Sequence, residues 1–120
     1  MNLDDLLDAS RELLARSGAE EWEVVASRGQ EMSLAVRGEE LDKFQESVTQ
    51  GVAFRVIKDG RLGFTYLLGG EPADLKRAVG QALAAAEAND FRQETGFAAP
   101  GEVHPAVETH DPSLAAEPLA

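Results

Sequence analysis

Apolar and polar residues alternate with a period of two through the middle of the chain and with a helical period on either side of it. The alternation is clearest over residues 51–68, where two apolar runs flank Asp59-Gly60. An Asp-Gly pair in this position predicts a hairpin, because a type I′ turn needs positive φ at both of its central residues. We expect the domain to be built around this hairpin.

Each arm of the hairpin has one apolar face. Side chains two positions apart share a face of a strand, and these are Val52, Phe54 and Val56 on the first arm and Leu62, Phe64 and Tyr66 on the second. We therefore expect the three aromatic side chains of the hairpin to pack in one core. The hairpin is interpreted as a scaffold, because it carries no pattern typical of catalysis.

Three more strands are predicted upstream of the hairpin. Twofold alternation covers residues 22–27 and 32–37 with a turn at 28–31, and a more polar run covers 41–49 after a second turn at Gly38. Charged and polar side chains on the last run suit the edge of a sheet, where they discourage pairing with other sheets. Together with the hairpin, these strands predict an antiparallel sheet of about five strands.

The two flanks of this sheet are predicted to be helical. Leucines recur at helical spacing from Asn2 to about Ser17, with Asn2 as a suitable N-cap and Gly18 as a suitable C-cap. A second, alanine-rich helix is predicted from Pro72 to Ala88, packed on the sheet. Its interior Gly80 either marks a close helix–sheet contact or is neutral. Helices grouped against one antiparallel sheet make the fold class α+β.

The chain divides into one predicted domain, residues 2–90, and a tail, residues 91–120. The tail is rich in proline and alanine and has no sustained period, which is typical of a linker or a surface segment. Its aromatic residues, Phe91 and Phe97, either belong to a docking surface or are ordinary exposed side chains.

The charge balance restricts the classes of partner. Lys and Arg number 11 and Asp and Glu number 22, a net charge of -11, so nucleic acid and anionic membranes are not expected partners. The absence of cysteine excludes disulfides and thiolate chemistry. No apolar run approaches the ~20 residues that span a bilayer. The acidic start lacks a secretion signal, so a cytoplasmic location is expected.

No catalytic, cofactor-binding or metal site is predicted in this chain. Its two histidines, His104 and His110, lie in the tail near Glu108 and Asp111. These residue types can bind a metal, but a loop supplies neither rigid geometry nor supporting contacts, so we interpret them as incidental. The serines lack a nucleophile-elbow context. Glycines such as Gly63 lack a nucleotide-binding pattern and are interpreted as turn or bulge positions.

Three segments of the chain resemble one known family. They are Gly18-Ala-Glu-Glu-Trp-Glu-Val-Val25, the block from Ser47 through Asp59-Gly-Arg-Leu-Gly63 to Tyr66, and the closing helix from Pro72 to Ala88. Together they resemble the N-terminal domain of the TldD/PmbA family over residues 3 to about 90. The tail segment Thr109-His-Asp-Pro-Ser-Leu114 is similar to the segment that follows this domain in PmbA-like members, also called TldE. His110 stands where an aromatic residue is more usual.

The resemblance implies a zinc metallopeptidase system that acts on small or unfolded peptides, whose members were once called modulators of DNA gyrase. It implies paired TldD-type and PmbA-type subunits, with the zinc ligands on a His-Glu-x-x-x-His helix of the TldD-type subunit. That motif is absent from this sequence. We therefore expect zinc in a catalytic partner or a following domain. Family members are several times longer, which implies an N-terminal domain, as a piece of a longer subunit or as a split subunit.

Three hypotheses for the function follow. The first is a non-catalytic domain for subunit assembly and peptide access, with a TldD-like subunit or a second copy as partner and the run 41–49 pairing with an extended peptide. The alternative is a stand-alone adaptor or binding module without protease activity. The third is a hydrolase that uses His104 or His110, and activity that survives replacing both by alanine would exclude it.

Overall fold

The computed structural model describes residues 2–92, 96–99, 101 and 104–116 of the chain. In chain order its elements are α1 (Leu3–Ala15), β1 (Glu21–Arg37), β2 (Glu40–Lys58), β3 (Arg61–Leu68), α2 (Pro72–Ala88) and the single turn α3 (Ser113–Ala116). The strands form one antiparallel sheet in the order β1-β2-β3. The predicted α+β class is confirmed. Within the described residues, no helix is long and apolar enough to cross a membrane.

The sheet has three long strands where five were predicted, and that part of the prediction is wrong. β1 continues through residues 28–31 because Arg28 pairs with Gln50 and Gly29 with Thr49 on β2. The run 41–49 and the first arm of the hairpin, predicted as separate strands, likewise form one strand, because Gln50 and Gly51 pair with Arg28 and Ser27 on β1. Backbone pairing with a continuous neighbour outweighs the local turn tendency of these polar residues. The turns at Gly38 and at Asp59-Gly60 are confirmed, and all three residues have positive φ, between 52° and 71°.

Both long helices pack on one face of the half of the sheet nearest the Asp59-Gly60 turn. Helix α1 starts where predicted, because the Asn2 side chain accepts a hydrogen bond from the Asp5 N–H at 2.8 Å. The buried core residues come from α1, β2 and α2, and they are Leu6, Leu14, Val52, Phe54, Val56, Leu75, Ala78, Val79, Ala82 and Ala86. On α2 the spacing of three and four residues places one stripe against the sheet.

Phe64 and Tyr66 lie on the face of the sheet opposite the helices, where they are 55% and 52% exposed. The prediction that they share a core with Phe54 is wrong. The two-residue turn pairs Lys58 with Arg61, so even positions of β2 oppose odd positions of β3. Residues directly opposite share a face of the sheet. Phe54 therefore shares its face with Thr65, its partner on β3.

Gly63, rather than Gly80, is the glycine of close helix–sheet contact. A Cβ on Gly63 would meet the backbone of α2 at the Ala82 carbonyl oxygen and the Ala86 nitrogen. Gly63 lies inside β3, so its interpretation as a turn or bulge position is wrong. Gly80 is exposed, and a Cβ there would meet nothing within 4 Å.

Candidate interaction site

Residues 28–50 form a two-stranded ribbon that extends beyond the helices, and we call it the distal ribbon. It consists of the second half of β1 and the first half of β2. Helix α2 has 17 residues and strand β2 has 19. At about 1.5 Å and 3.3 Å per residue, the helix spans ~25 Å and the strand ~60 Å, so the helices cannot cover the sheet. Residues 28–49 are all exposed.

One face of the distal ribbon is apolar. It continues the face that carries the core, because even positions of both strands share that face. An irregularity between Ala35 and Val36 skips Asp42 and brings Leu41 opposite Val36, onto the same face. The apolar side chains there are between 44% and 65% exposed, and they are Met32, Leu34, Val36, Leu41, Phe44 and Val48. The other face is mainly polar, so the ribbon is amphipathic.

Glu46 is the acidic residue in the middle of the apolar face, between Phe44 and Val48 on β2. It lies opposite Met32 in the register of the ribbon. One of its carboxylate oxygens accepts a hydrogen bond from the Gln30 side chain at 2.9 Å. An exposed carboxylate in an apolar surface is a hydrogen-bond acceptor and a negative charge for whatever covers that surface.

The ribbon also has an unpaired backbone edge. Strand β3 pairs with β2 only as far as Gly51, and the last hydrogen bond beside it joins the Gly69 N–H to the Gln50 carbonyl at 2.8 Å. Gly69 then takes a φ of +90° and the chain turns towards α2. Along residues 40–49, no strand in the described part of the chain pairs with this edge of β2. The expected free edge at 41–49 exists, although it belongs to the middle strand.

The exposed face and the unpaired edge together mark residues 28–50 as the candidate site. A two-stranded hairpin alone is at best marginally stable in water. Contiguous exposed apolar surface on a soluble domain is typical of an interaction site. The ribbon can bind a partner through apolar contacts on its face and through backbone hydrogen bonds at its edge.

The tail contacts the opposite face of the sheet through Phe97. The guanidinium of Arg55 lies 5.0 Å from the centroid of the Phe97 ring, and Arg55 is held by Glu23 at 2.6 Å. The Phe97 N–H donates to the Glu21 carboxylate at 3.2 Å. Phe97 is therefore partly buried, whereas Phe91 is 81% exposed. Phe97 therefore packs on the sheet, and Phe91 is exposed.

The two histidines of the tail do not form a metal site within the described residues. Across residues 2–92, 96–99, 101 and 104–116, no three His, Asp or Glu side chains are placed to hold a metal ion. A hollow of about 430 Å³ is lined by residues 108–112 alone, which includes His110 and leaves out His104. The Asp111 carboxylate instead accepts hydrogen bonds from the Ser113 hydroxyl and N–H, which lower the pKa of Asp111. That carboxylate caps the α3 turn.

Comparison with known proteins gives matches to one family. A family profile described as PmbA/TldA metallopeptidase domain 1 matches residues 22–86, more than half of the chain. An uncharacterized protein of Methanocaldococcus jannaschii is 41% identical over 46 residues, which are 38% of this chain and 11% of that protein.

Two solved structures have a similar fold. TldE from Thermococcus kodakarensis has a TM-score of 0.67 at 22% identity, and the match covers 88% of this chain and 23% of that one. A protein of Thermotoga maritima, proposed as a modulator of a DNA gyrase, has a TM-score of 0.72 at 18% identity, covering 98% and 26%. The chain thus spans about a quarter of the length of these solved relatives.

Proposed function

Because the chain belongs to the PmbA/TldA metallopeptidase family, as the first domain of that family, we propose that it is a non-catalytic domain for subunit assembly and peptide access in proteolysis. The observation that carries this proposal is the distal ribbon, residues 28–50, with its exposed apolar face and unpaired edge. The family match establishes the domain. The role of the ribbon is the proposal.

Assembly uses the apolar face. Its six half-exposed apolar side chains, with Phe44 and Leu34 directly opposite each other at its centre, form a patch of the type found in the buried centre of protein interfaces. The partner in this proposal is a TldD-like subunit or a second copy of the chain. Because the ribbon projects beyond the helices, a partner reaches this face without displacing either helix.

Peptide access uses the edge of β2. Main-chain hydrogen bonds from a strand edge hold an extended peptide without requiring one particular sequence, which suits small or unfolded substrates. The net charge of -11 attracts basic segments over distance. The cytoplasmic location expected from the sequence is part of this proposal.

The zinc of such a system is assigned elsewhere. Zinc needs three or four nitrogen, sulfur or oxygen ligands held at fixed geometry. The chain has no cysteine, and within the described residues its two histidines are not part of a group of three or more potential metal ligands. The described residues therefore do not fit a zinc site. In this proposal zinc belongs to a partner subunit or a following domain.

The experiment is capture of partners from a lysate of the source organism, read by intact mass spectrometry, with the chain and a Phe44→Ser variant as parallel baits. We expect the unmodified chain to recover a longer chain that bears His-Glu-x-x-x-His, and Phe44→Ser to recover much less of it. Hydrogen exchange on the recovered complex should show slower exchange across residues 41–49. Recovery of the monomer alone, with unchanged exchange at 41–49, would contradict this proposal and favour a stand-alone adaptor or binding module.

A further inference from the structure

We propose that the free edge of β2 selects extended segments with the pattern apolar–x–basic–x–apolar, bound antiparallel to β2 as a continuation of β3. The inference rests on the proposed peptide-access role and adds a substrate class to it. Three observations carry it: the backbone groups that point from the edge, the side chains beside them and the charge of the chain.

Backbone alternation fixes which residues of β2 offer hydrogen bonds. In an antiparallel pair, successive residues of a strand direct their N–H and C=O groups to opposite sides. The Gln50 carbonyl points towards β3, since it accepts from the Gly69 N–H at 2.8 Å. The residues two, four and six positions earlier therefore point the same way, and these are Val48, Glu46 and Phe44. No described strand uses this side of them.

The path of β3 defines the direction of the incoming strand. β3 runs antiparallel to β2 and ends at Leu68 because the chain leaves the sheet at Gly69. The space alongside residues 44–48 is the straight extension of β3. An added strand in that space continues the antiparallel ladder past Gln50 and meets the edge in the same hydrogen-bonding pattern.

The side chains of β2 then set the pattern. A residue directly opposite Phe44, Glu46 or Val48 shares their face of the sheet, the apolar one. Apolar side chains opposite Phe44 and Val48 are buried against them, and a basic side chain opposite Glu46 meets its carboxylate. One oxygen of Glu46 accepts from Gln30, which leaves the second oxygen for the incoming cation. The two intervening residues face Gln45 and Ser47 on the polar side and are free to vary.

The net charge of the chain also favours a basic residue at the central position of the bound segment. The chain carries 22 acidic residues against 11 Lys and Arg, so a cationic segment is attracted and an acidic one is repelled. Within the edge itself, Glu46 is the charged group among the three residues that point to the incoming strand.

The test uses end-blocked, fluorescein-labelled heptapeptides and the 120-residue chain. The first peptide is Thr-Val-Thr-Lys-Thr-Val-Thr, and the second replaces Lys by Glu. A third carries N-methyl groups on both valines and the lysine, the positions that exchange hydrogen bonds with β2. A fourth carries N-methyl groups on the first three threonines, at the first, third and fifth positions of the peptide, whose N–H groups point away from β2. Binding is measured by fluorescence anisotropy at low salt, and the bound site by hydrogen exchange.

We expect the lysine peptide to bind about fivefold more tightly than the glutamate peptide, as for a cross-strand ion pair replaced by two like charges. Glu46→Lys should reverse this preference. Glu31→Lys is the matched control, with the same charge change on the polar face of the ribbon, and should leave the order unchanged. The N-methyl groups on valine and lysine should abolish binding, and those on threonine should not.

The outcomes separate this inference from the proposed function. Equal affinity for the lysine and glutamate peptides, with protection of residues 44–48 by both, would overturn the selected pattern and leave peptide access intact. If no peptide protects residues 44–48, both the pattern and the peptide-access role are wrong. The comparison of the two peptides on the unmodified chain decides the matter even if Glu46→Lys alters the ribbon.

Discussion

Gly63 packs directly against Ala82, so that a Cβ on Gly63 would overlap the Ala82 carbonyl oxygen. The contact is between two backbones, β3 and α2, and neither can yield as a flexible side chain can. Gly63→Ala should therefore move α2 away from the sheet and lower the free energy of unfolding by about 1–3 kcal/mol. Urea unfolding followed by circular dichroism measures it.

Gly80→Ala is the matched control for this substitution. Gly80 is on the exposed side of the same helix with nothing within 4 Å of a Cβ. Alanine there should raise the free energy of unfolding by about 0.5–1 kcal/mol, because alanine loses less conformational freedom in a helix. Equal effects of the two substitutions would contradict the close contact at Gly63.

Ser10 presents a buried hydroxyl to the core without a hydrogen-bond partner among the described residues. Ser10→Ala removes that polar group and adds helix propensity, so we expect the free energy of unfolding to rise by about 1 kcal/mol. Ser17 is the comparison, since its hydroxyl donates to the Leu14 carbonyl at 2.6 Å and accepts from the Ala19 N–H at 3.3 Å. Ser17→Ala should lower stability by about 1 kcal/mol. Thermal melts of the two variants should shift in opposite directions.

Phe54 and Phe44 lie on the same strand and the same face, and differ in what covers them. Phe54 is fully buried and Phe44 is 44% exposed. Phe54→Ala should destabilise the chain by about 3–5 kcal/mol, as a cavity in a packed core does. Phe44→Ala should cost under ~1 kcal/mol in the isolated chain, as for surface positions generally. A large loss of stability in Phe44→Ala would show that the distal ribbon is part of the core rather than a binding surface.

Phe97 holds the tail to the sheet through the Arg55 guanidinium and the Glu21 carboxylate. It lines a hollow that includes Trp22, the only tryptophan of the chain. Phe97→Ala should therefore shift the tryptophan emission to longer wavelength and speed proteolysis near residue 97. Phe91→Ala should change neither, since Phe91 is 81% exposed. Identical emission spectra for both variants would contradict the contact.

Local features of the fold were predictable because each depends on a few neighbouring residues. The Asn2 cap and the Asp59-Gly60 turn follow from backbone preferences that the sequence displays directly. The break expected at 28–31 failed because β-pairing is non-local: those residues stay extended only because β2 continues beside them. The prediction that Phe64 is buried was wrong because the register of the hairpin was misjudged. The two-residue turn itself determines which positions of the two arms face each other.

Part of the candidate site was predicted from the sequence, since the run 41–49 was expected to be a free edge, whereas residues 32–37 were predicted only as a strand. Alternation through Met32 and Leu34 continues the pattern of Trp22 and Val24, and nothing in the alternation distinguishes covered from uncovered positions. The lengths of the elements could have distinguished them, because a 17-residue helix cannot cover strands that run twice as far. The free edge at 41–49 was predicted, but its place on the middle strand of the sheet could not be derived before the strand order was known.

Strand β2 is one uninterrupted element from the buried Val56 to the exposed Glu40. The side of the molecule on which Phe44 emerges is therefore decided within the core, by the inward orientation of Phe54 and Val52. Adding or removing one residue of β2 near Gly51, with a matching change in β1, would turn the ribbon over while the core stayed intact. The parity of strand length thus determines which side of the ribbon carries the apolar side chains, and a paired one-residue insertion would exchange the two sides without changing the identity of any core residue.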